Sequence, residues 1–541
     1  MAVKGIVKLT AVLLAVCLLF GCDAGSLRDR LEQYLSTNSG TAPETVQLEY
    51  LRPDMQEHDR LLEEACKAAE TEENILILMN KVYEYYDVYD RIYSAYDISY
   101  INYCRDVTDA HWEEEYNYCA ENISTVDTGL ESLYYALAAS PILDQLESED
   151  RFGAGFFDSY KGENTWDDPE LQTLFAREAE LMEQYYSLYG EASQEEDYTD
   201  AWFEAYEPRL GELYVELIAL RQEMAAFFGY DSYVQFAYDF YHYRDYTPEK
   251  AEEYLVSVKE TLGILYTEIL DSDVWDLGWN SSTEEETFAY LETAATAMGD
   301  DVAEAFDWMK RNALYDIAVS ENKFPISFET FIYYYYEPYI FICPDGSVYD
   351  RLTFAHEFGH LAADYVTGGT YAGTDITEVH SQAMEYLSLF YGENTNDLRK
   401  LKLAESLTTY VEQAAYSLFE HRVYALEGGE LTLDNVRALY RDICTDFGFD
   451  GEAWDSRDYV TIPHLYEQPL YMVSYVVSND LAMQLYEMEA SKPGAGLELY
   501  KEILYSDHSY SGDFVREYGL EDPFAVSRLE KLQGIFKTVA E

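Results

Sequence analysis

The chain has 541 residues, of which 48% are hydrophobic, so it can bury a large core, and its composition is not that of a disordered protein. Its 104 acidic and 35 basic side chains give a formal net charge of −69 at pH 7. This charge repels nucleic-acid phosphates and anionic lipids and favours cationic ligands, so no nucleic-acid partner is expected.

The first 21 residues have the pattern of an export signal. Lys4 and Lys8 precede the apolar stretch 9–20, which is too short to span a bilayer comfortably. Residues 19–22 resemble a bacterial lipobox, in which cleavage before Cys22 leaves a lipid-modified cysteine. This pattern predicts a protein of the bacterial cell envelope, outside the cytoplasm, that contacts the membrane only through a lipid anchor at Cys22. Plain secretion and a retained membrane anchor are the alternatives.

Composition suggests three segments after the signal. Residues 22–45 contain a polar stretch that is typical of a linker. Residues 46–225 are predicted to form a helical N-terminal lobe, because apolar side chains recur there at helical spacing. Residues 226–541 form a second predicted domain, and this domain carries the motifs described below.

The clearest helix of the N-terminal lobe has recognisable end signals. Asp168 suits the N-cap and Pro169 the first helical position, because proline has no backbone N–H to leave unsatisfied. Apolar side chains then follow at helical spacing up to Leu188. Gly190 is the predicted end of this helix.

Five cysteines follow Cys22, and they are Cys66, Cys104, Cys119, Cys343 and Cys444. Their number is odd and no two form a CxxC pair, so neither a disulfide framework nor a structural zinc knuckle is expected. Free buried thiols are the prediction, and a bridge between Cys104 and Cys119 is the alternative.

The second domain changes character at residues 326–342, a run of β-branched and aromatic side chains that is typical of strands. Pro338 interrupts the run, which indicates an edge position or a break between two strands. Asp345-Gly346 predicts a turn, and the helical pattern returns at Leu352. A short sheet therefore leads into a helix.

This helix contains the sequence His356-Glu357-Phe358-Gly359-His360, an HExxH motif. Residues four apart lie on one face of a helix, so both imidazoles can bind one metal ion. Glu357 lies beside that face, where it can accept a proton from a metal-bound water that attacks a carbonyl. The motif predicts one Zn²⁺ ion as cofactor and a hydrolytic reaction. The alternative is that two histidines share a helix face by accident.

A catalytic zinc site needs a third protein ligand. The metzincin pattern is excluded because Ala363 and Val366 occupy the positions of its glycine and its third histidine. The other solution is a glutamate from the next helix, where Glu378 and Glu385 share a face. One of these two should bind zinc and the other orient a histidine, and the residues alone favour neither. His380 lies off this face and is expected to be an ordinary histidine.

A third candidate segment spans residues 463–475. Pro469 suits the first turn of a helix, which would put Tyr471 and Tyr475 on one face and His464 in the preceding loop. A phenol or an imidazole N–H aimed at the attacked carbonyl would stabilise the developing oxyanion. His464, Tyr471 and Tyr475 are therefore candidate catalytic residues. The alternative is that both tyrosines are packing residues among the 54 of this chain.

The sequence HEFGH followed by E-x-x-S-x-x-x-E resembles the M3 family of metallopeptidases, and especially its oligoendopeptidase F branch. The resemblance implies that Glu378 is the zinc ligand, while Glu385 matches the later family glutamate. Glu385 and Asp375 are then candidates for side chains that support the ligands from behind. The resemblance covers residues 200–525, and residues 331–336 depart from the glycine-rich pattern of the family.

The resemblance also implies a fold. It is a mainly α, zincin-type (gluzincin) catalytic domain with a small β-sheet, joined to a helical N-terminal lobe, with a deep channel between the lobes. Tyr339 and Phe341 resemble the substrate-binding edge strand of the family and are candidates to bind substrate.

These observations together predict a zinc metalloendopeptidase that hydrolyses internal bonds of short oligopeptides. Short peptides are the expected partners. One alternative is a helical gluzincin exopeptidase, either a carboxypeptidase or a dipeptidyl peptidase, although no charged residue that would hold a peptide terminus stands out. The other is a non-catalytic, lipid-tethered peptide-binding protein that keeps the zinc ligands.

Overall fold

The computed structural model describes residues 46–149, 151–162, 168–192, 198–369, 372–449 and 455–540. The predicted export signal, the anchor at Cys22 and the linker 22–45 lie outside the described residues. Residues Glu49–Glu541 form one compact unit, and the predicted lobe boundary at residue 225 stays a prediction. None of the helices in the described ranges combines the length and apolar character that crossing a bilayer requires.

The predicted fold class is confirmed, because helices dominate and the strands form one small sheet. The helices are α1 (Met55–Thr71), α2 (Ile75–Arg105), α3 (Ala110–Ala138), α4 (Leu143–Leu146), α5 (Pro169–Ala192), α6 (Asp200–Phe227), α7 (Tyr233–Phe240), α8 (Pro248–Leu270), α9 (Glu284–Met298), α10 (Asp300–Asn312), α11 (Tyr349–Thr367), α12 (Thr374–Tyr391), α13 (Asn396–Val423), α14 (Leu433–Phe447), α15 (His464–Glu467), α16 (Val473–Ser491), α17 (Ala495–Ile503), α18 (Ser511–Tyr518) and α19 (Val526–Ala540). The strands are β1 (Tyr315–Asp316), β2 (Phe328–Ile332) and β3 (Glu337–Phe341).

The first helices show why this part of the chain is helical. The Asp54 carboxylate caps α1 by accepting from the backbone amides of Gln56 and Glu57, and the Asn74 side chain caps α2 in the same way. The apolar faces of α1, α2 and α3 pack into a shared core that includes Leu78 and Leu133. Burial of these faces stabilises the helical N-terminal part of the described chain.

The helix predicted from Asp168 forms as α5. The Asp168 carboxylate accepts from the amide of Glu170, and Pro169 is the first helical residue. The predicted end at Gly190 is wrong by two residues, because α5 continues to Ala192. Gly190 does not adopt the left-handed conformation that would make it a C-terminal cap.

The residues predicted to form strands make a hairpin, with a turn between β2 and β3. The sheet order is β1-β3-β2, so β3 pairs with β1 on one side and with β2 on the other. Pro338 fits within β3, because alternate residues Ile340 and Ile342 donate towards β1 and residue 338 lies beyond the end of β1. The missing N–H of Pro338 therefore costs no sheet hydrogen bond.

Helix α11 follows the sheet and begins at Tyr349, three residues before the predicted start. The Asp350 carboxylate accepts from the amides of Asp345 and Gly346 and so closes the predicted turn. Helix α12 then crosses α11 at Gly359, where an added Cβ would lie 2.4 Å from the carbonyl oxygen of His380. Only glycine allows this close approach of the two backbones.

All five described cysteines are free. Cys104, Cys119 and Cys444 are buried, as predicted, and the alternative bridge between Cys104 and Cys119 is not formed. Cys66 and Cys343 are partly exposed, so the prediction of buried thiols is wrong for these two.

Candidate metal centre

Three of the predicted ligands converge between α11 and α12. His356 and His360 lie one turn apart on α11, and their Nε2 atoms lie 3.5 Å and 3.9 Å from Glu378 Oε2 on α12. One ligand atom from each of the three side chains lies within 4.8 Å of the other two. Two imidazole nitrogens and one carboxylate oxygen are a donor set that zinc prefers, so these residues fit the predicted ion.

Glu385 lies behind His356 and does not join the three ligand atoms. Its Oε1 atom is 2.9 Å from His356 Nδ1, and its Oε2 atom is 2.5 Å from Lys402 Nζ on α13. Burial raises the pKa of Glu385, but Lys402 and His356 outweigh it and hold this pKa below its usual range. Glu385 and Lys402 are called the rear pair below. The structure thus separates the two glutamates that the sequence left equivalent.

The charge balance of the centre favours a cation. Burial alone would lower the pKa of His356, but the hydrogen bond to Glu385 and the charges of Glu385, Glu357 and Glu378 raise it to about 9. Burial and the neighbouring His356 lower the pKa of His360 well below its usual value. One positive charge among three carboxyl groups is therefore stable here, and a metal cation would satisfy the same electrostatic need.

Glu357 is buried beside the ligands. Burial raises its pKa to about 7, although His356 opposes the increase and the main chain of Glu329 donates to its carboxyl group. Glu329 belongs to β2, so the outer edge of this strand faces Glu357. A carboxyl group with a pKa near neutrality is suited to general acid–base chemistry.

The third predicted segment faces the ligands from the other side. Tyr471 Oη donates to Glu378 Oε1 at 3.0 Å, and Tyr475 Oη lies 3.4 Å from His464 Nε2. The two tyrosine rings are 5.2 Å apart, and the His464 ring is within 6 Å of both. Residues 463–475 are called the tyrosine loop below. Its three functional side chains are partly exposed, so they can meet a ligand.

Asp375 supports the tyrosine loop and contacts none of the three predicted ligands. Its Oδ1 atom accepts from Ser474 Oγ at 2.6 Å and lies 3.6 Å from the Nε atom of the buried Arg244. The predicted placement of Asp375 directly behind the metal ligands is therefore wrong. Arg244 also donates to the carbonyl oxygens of Leu470 and Tyr471.

Leu470 is the strained point of this loop. Its φ of 65° is in the left-handed region, which a leucine rarely adopts. The backbone N–H of Leu470 donates to Glu420 Oε1 at 2.6 Å, its carbonyl accepts from Arg244, and the preceding Pro469 carbonyl lies 3.0 Å from His242 Nε2. These contacts hold the strained turn and so fix where the tyrosine hydroxyls point.

The predicted substrate residues Tyr339 and Phe341 do not lie on an edge strand. Both belong to β3, the central strand, and both side chains are buried. Tyr339 Oη accepts from Arg105, and the Phe341 ring stacks on Phe328. The prediction that this strand offers a free edge is wrong, because β1 occupies the side on which an open edge was expected. Among the described residues β2 pairs with β3 alone, so its other edge is unpaired.

His380 is an ordinary core histidine, as expected. Its Nε2 atom lies 3.2 Å from the carbonyl oxygen of Ile503, and burial lowers its pKa to about 4. It contributes no ligand atom to the candidate metal centre.

Two cavities adjoin the histidines. One of about 440 Å³ is lined by His356 and by Glu385 and Lys402 of the rear pair, so it reaches the back of His356. The second, of about 160 Å³, is lined by His360 and Glu329.

Sequence reasoning missed Lys402, Arg244, His242 and Glu420 as supporting residues. Lys402 had no clear signal, because Arg399 and Glu405, three residues away on either side, make its helix face a polar one in the sequence. Arg244 and His242 had no local signal, since their partners are more than 200 residues away in the chain.

The chain is similar to known proteins in part of its sequence and in its fold. Residues 46–165 match the family model described as the Peptidase M3 N-terminal domain. No curated protein matches the sequence. The three solved structures that follow share the fold of this chain at low sequence identity. Pz peptidase A with an inhibitor is 17% identical with a TM-score of 0.77, covering 91% of this chain and 99% of the other. A structure named oligoendopeptidase F is 18% identical with a TM-score of 0.75, covering 91% and 98%. One named oligoendopeptidase F from Bacillus anthracis is 19% identical with a TM-score of 0.73, covering 92% and 98%.

Proposed function

Taking the chain as an oligoendopeptidase F-like protein of the M3 family, we propose that it is a zinc-dependent endopeptidase. It would hydrolyse internal peptide bonds of short oligopeptides. One observation carries this proposal: the ligand atoms of His356, His360 and Glu378 lie within 4.8 Å of one another, with the carboxyl group of Glu357 buried beside them.

His356, His360 and Glu378 would hold the ion. When bound, Zn²⁺ supplies Lewis-acid chemistry, which polarises a carbonyl and makes water more acidic. The rear pair keeps His356 oriented, since the Glu385 carboxylate accepts from Nδ1–H and leaves Nε2 free to bind metal.

Glu357 would act as the general base. Its carboxylate takes a proton from the attacking water and later delivers it to the leaving amine. This role suits a carboxyl group whose pKa burial raises to about 7, because such a group can both accept and release a proton near neutral pH.

His464 and Tyr475 would stabilise the negative charge on the attacked carbonyl oxygen. Burial lowers the pKa of His464 and raises that of Tyr475, so both are neutral donors at pH 7. Tyr475 Oη makes a long contact of 3.4 Å with His464 and a hydrogen bond with Tyr471. Both partners belong to the tyrosine loop, so the Tyr475 hydroxyl can turn towards a substrate without disturbing a metal ligand. Tyr471 is already bonded to Glu378 and orients that carboxylate.

The substrate would pair with the outer edge of β2 and not with β3. The main chain of Glu329 in β2 already meets the Glu357 carboxyl group. Backbone pairing with an edge strand holds an extended peptide without reading every side chain.

The test is a set of blocked and unblocked peptides of graded length, digested with and without a chelator and analysed by mass spectrometry. Cleavage of doubly blocked peptides at internal bonds, which stops with the chelator and returns with zinc, is the expected result. Trimming that requires a free terminus would identify an exopeptidase instead. Glu357→Gln should keep zinc, measured by atomic emission, yet lose hydrolysis; an active variant would remove Glu357 as the base.

We also propose that the mature protein is anchored outside the cytoplasm by a lipid on Cys22. The lipobox-like residues 19–22 support this location. Cys22→Ala should abolish incorporation of labelled fatty acid and release the protein from the membrane fraction. Labelling that persists in this variant would contradict the anchor.

A further inference from the structure

The cavity beside His360 has an acidic wall. Asp364 lies one turn after His360 on α11, and Glu329 reaches the same cavity from β2. The cavity measures about 160 Å³, which is room for one side chain, and Tyr333 lies at its solvent side with 47% of its surface exposed. One of the metal-ligand candidates, His360, and one exposed side chain, Tyr333, therefore line the same cavity.

The carboxyl groups of this wall have no counter-charge in the described chain. Glu329 Oε1 is buried and has no hydrogen-bond partner. No lysine or arginine of the described residues contributes to the electrostatics of Glu329, Asp364 or the neighbouring Asp97 on α2. Burial raises the pKa of Asp364 and of Asp97 to about 7, and a hydrogen bond from Thr330 opposes the rise at Asp97. Burial, reinforced by the charges of its acidic neighbours, raises the pKa of Glu329 well above its usual value.

Buried carboxyl groups are normally paired, because an isolated buried charge is costly. Two buried carboxyl groups of the described residues show the rule, since Asp480 pairs with Arg528 and Glu385 with Lys402. The partly buried Glu329 and Asp364 lack such a partner and lie in a cavity next to the proposed catalytic residues. A cationic ligand would supply the missing partner.

We propose that Glu329 and Asp364 form a specificity subsite that takes a lysine or arginine side chain next to the scissile bond. This acidic subsite rests on the proposed peptidase function and names its substrate class as basic peptides. The apolar stem of the side chain would pack on Ala363 and Ala372, which line the cavity. Its charged end would meet the two carboxylates, with the Tyr333 ring beside it.

The position of the subsite fits a peptide that pairs with β2. Glu329 offers its main chain to the Glu357 site and its side chain to the cavity, so one residue serves both. The net charge of −69 would draw the same basic peptides towards the protein.

The test uses pairs of peptides that differ only in arginine or its neutral isostere citrulline, at each position around the cleaved bond. Both termini are blocked, so that a side chain and not a terminal ammonium supplies the charge. At one position we expect wild type to prefer arginine by about tenfold to a hundredfold in kcat/KM, as a charge-assisted hydrogen bond provides. The ratio should fall below about threefold in Glu329→Gln and in Asp364→Asn.

The ratio of two substrates within one variant removes effects on Glu357 that both peptides share. Glu321→Gln is the matched control, because Glu321 is exposed and away from the cavity, and it should keep the wild-type ratio. Glu329→Gln and Asp364→Asn each remove a partly buried acid that has no cationic partner, so thermal melts should show folded proteins. A ratio that falls in either folded variant supports the subsite.

Two results would overturn the subsite: equal rates for arginine and citrulline peptides in wild type, or a preference that survives both substitutions. Each still leaves peptide cleavage intact. Absence of any cleavage in the presence of zinc would instead overturn the proposed function itself.

Discussion

The rear pair and the tyrosine loop face the same three metal-ligand candidates and are built differently. Glu385 is buried, and its two oxygens contact His356 at 2.9 Å and Lys402 at 2.5 Å. The hydroxyl of Tyr475 is in a partly exposed side chain, and its contacts are with two other side chains of the loop, His464 at 3.4 Å and Tyr471. Short, buried and fully paired contacts fix a geometry, whereas a loosely held donor can reorganise around a substrate. We infer that the rear pair supports metal binding and that the tyrosine loop takes part in substrate chemistry.

The largest expected effect comes from opening the crossing of α11 and α12. Gly359→Ala would place a Cβ 2.4 Å from the His380 carbonyl oxygen and 2.5 Å from Ser381 Cα. Both are backbone atoms, so the helices must separate and carry Glu378 away from the histidines. We expect a loss of about 3 kcal/mol or more in unfolding free energy, the upper range for overpacking. Zinc should no longer remain after dialysis.

Gly190→Ala in α5 is the matched control for this substitution. No atom lies within 4 Å of the added Cβ there, so stability should stay the same or rise by up to about 1 kcal/mol. Denaturant titration and metal analysis measure both variants. Wild-type zinc content in Gly359→Ala would show that the rear of the centre tolerates movement, contrary to the comparison.

The next largest effect should distinguish the role of the tyrosine loop from that of the rear pair. Tyr475→Phe removes one hydroxyl and leaves the three ligand candidates untouched. Loss of one oxyanion donor lowers kcat by about 100-fold to 1,000-fold. We therefore expect that decrease in kcat with unchanged zinc content, and Tyr510→Phe, at a residue with 43% of its surface exposed, should have no effect. A Tyr475→Phe enzyme with wild-type kcat would limit the oxyanion role to His464.

A smaller effect should come from the rear pair. Lys402→Met keeps the apolar stem of the side chain but removes the cation that pairs with Glu385. Glu385 would then be protonated and would no longer accept the hydrogen bond that orients His356. Loss of such a supporting contact weakens metal affinity by about 10-fold to 100-fold. Competition with a chromogenic chelator measures this affinity directly in the apo protein.

Lys259→Met provides the control, since Lys259 pairs with Asp446 at 3.4 Å on the surface. A pair of this kind contributes little, so its zinc affinity should match wild type. If Lys402→Met also binds zinc as wild type does, Glu385 does not need its cation to orient His356.

Much of the ligand set could be predicted from the sequence because its signals are local. His356 and His360 are four residues apart, and that spacing fixes one helix face. The choice between Glu378 and Glu385 could not be made from the residues, because seven residues is two turns and both share a face. The crossing point at Gly359 decides it, and it depends on how two helices meet.

The sheet illustrates the same limit. Side-chain type predicted strands at 326–342, but it does not tell which strand has two neighbours. β1 has only two residues and pairs in parallel with β3, so it gave no pattern that could place β3 in the centre. Tyr339 and Phe341 were therefore predicted on the wrong kind of strand. The role of Arg244 could not be predicted for a related reason, because its contacts with the tyrosine loop join residues far apart in the sequence.

The smallest predicted effect concerns the support behind the tyrosine loop. His421 hydrogen bonds with Tyr238 at 2.8 Å, and burial, reinforced by the charges of Arg244 and Arg422, lowers its pKa to about 3. In the unfolded chain this pKa is about 6.5. The unfolded state therefore takes up a proton first, and the folded state loses stability as the pH falls below 6.5.

One such histidine contributes a loss of about 1.4 kcal/mol at pH 5.5 relative to neutral pH. His421→Gln can keep a hydrogen bond to Tyr238 but cannot take up the proton, so its stability should fall by about that much less between pH 7.5 and 5.5. Urea titrations at both pH values measure the difference, with His111→Gln as an exposed control that behaves as wild type. If His421→Gln loses as much unfolding free energy between pH 7.5 and 5.5 as wild type does, His421 is not the source of the acid sensitivity. Acid would then not weaken the support of the tyrosine loop through this histidine.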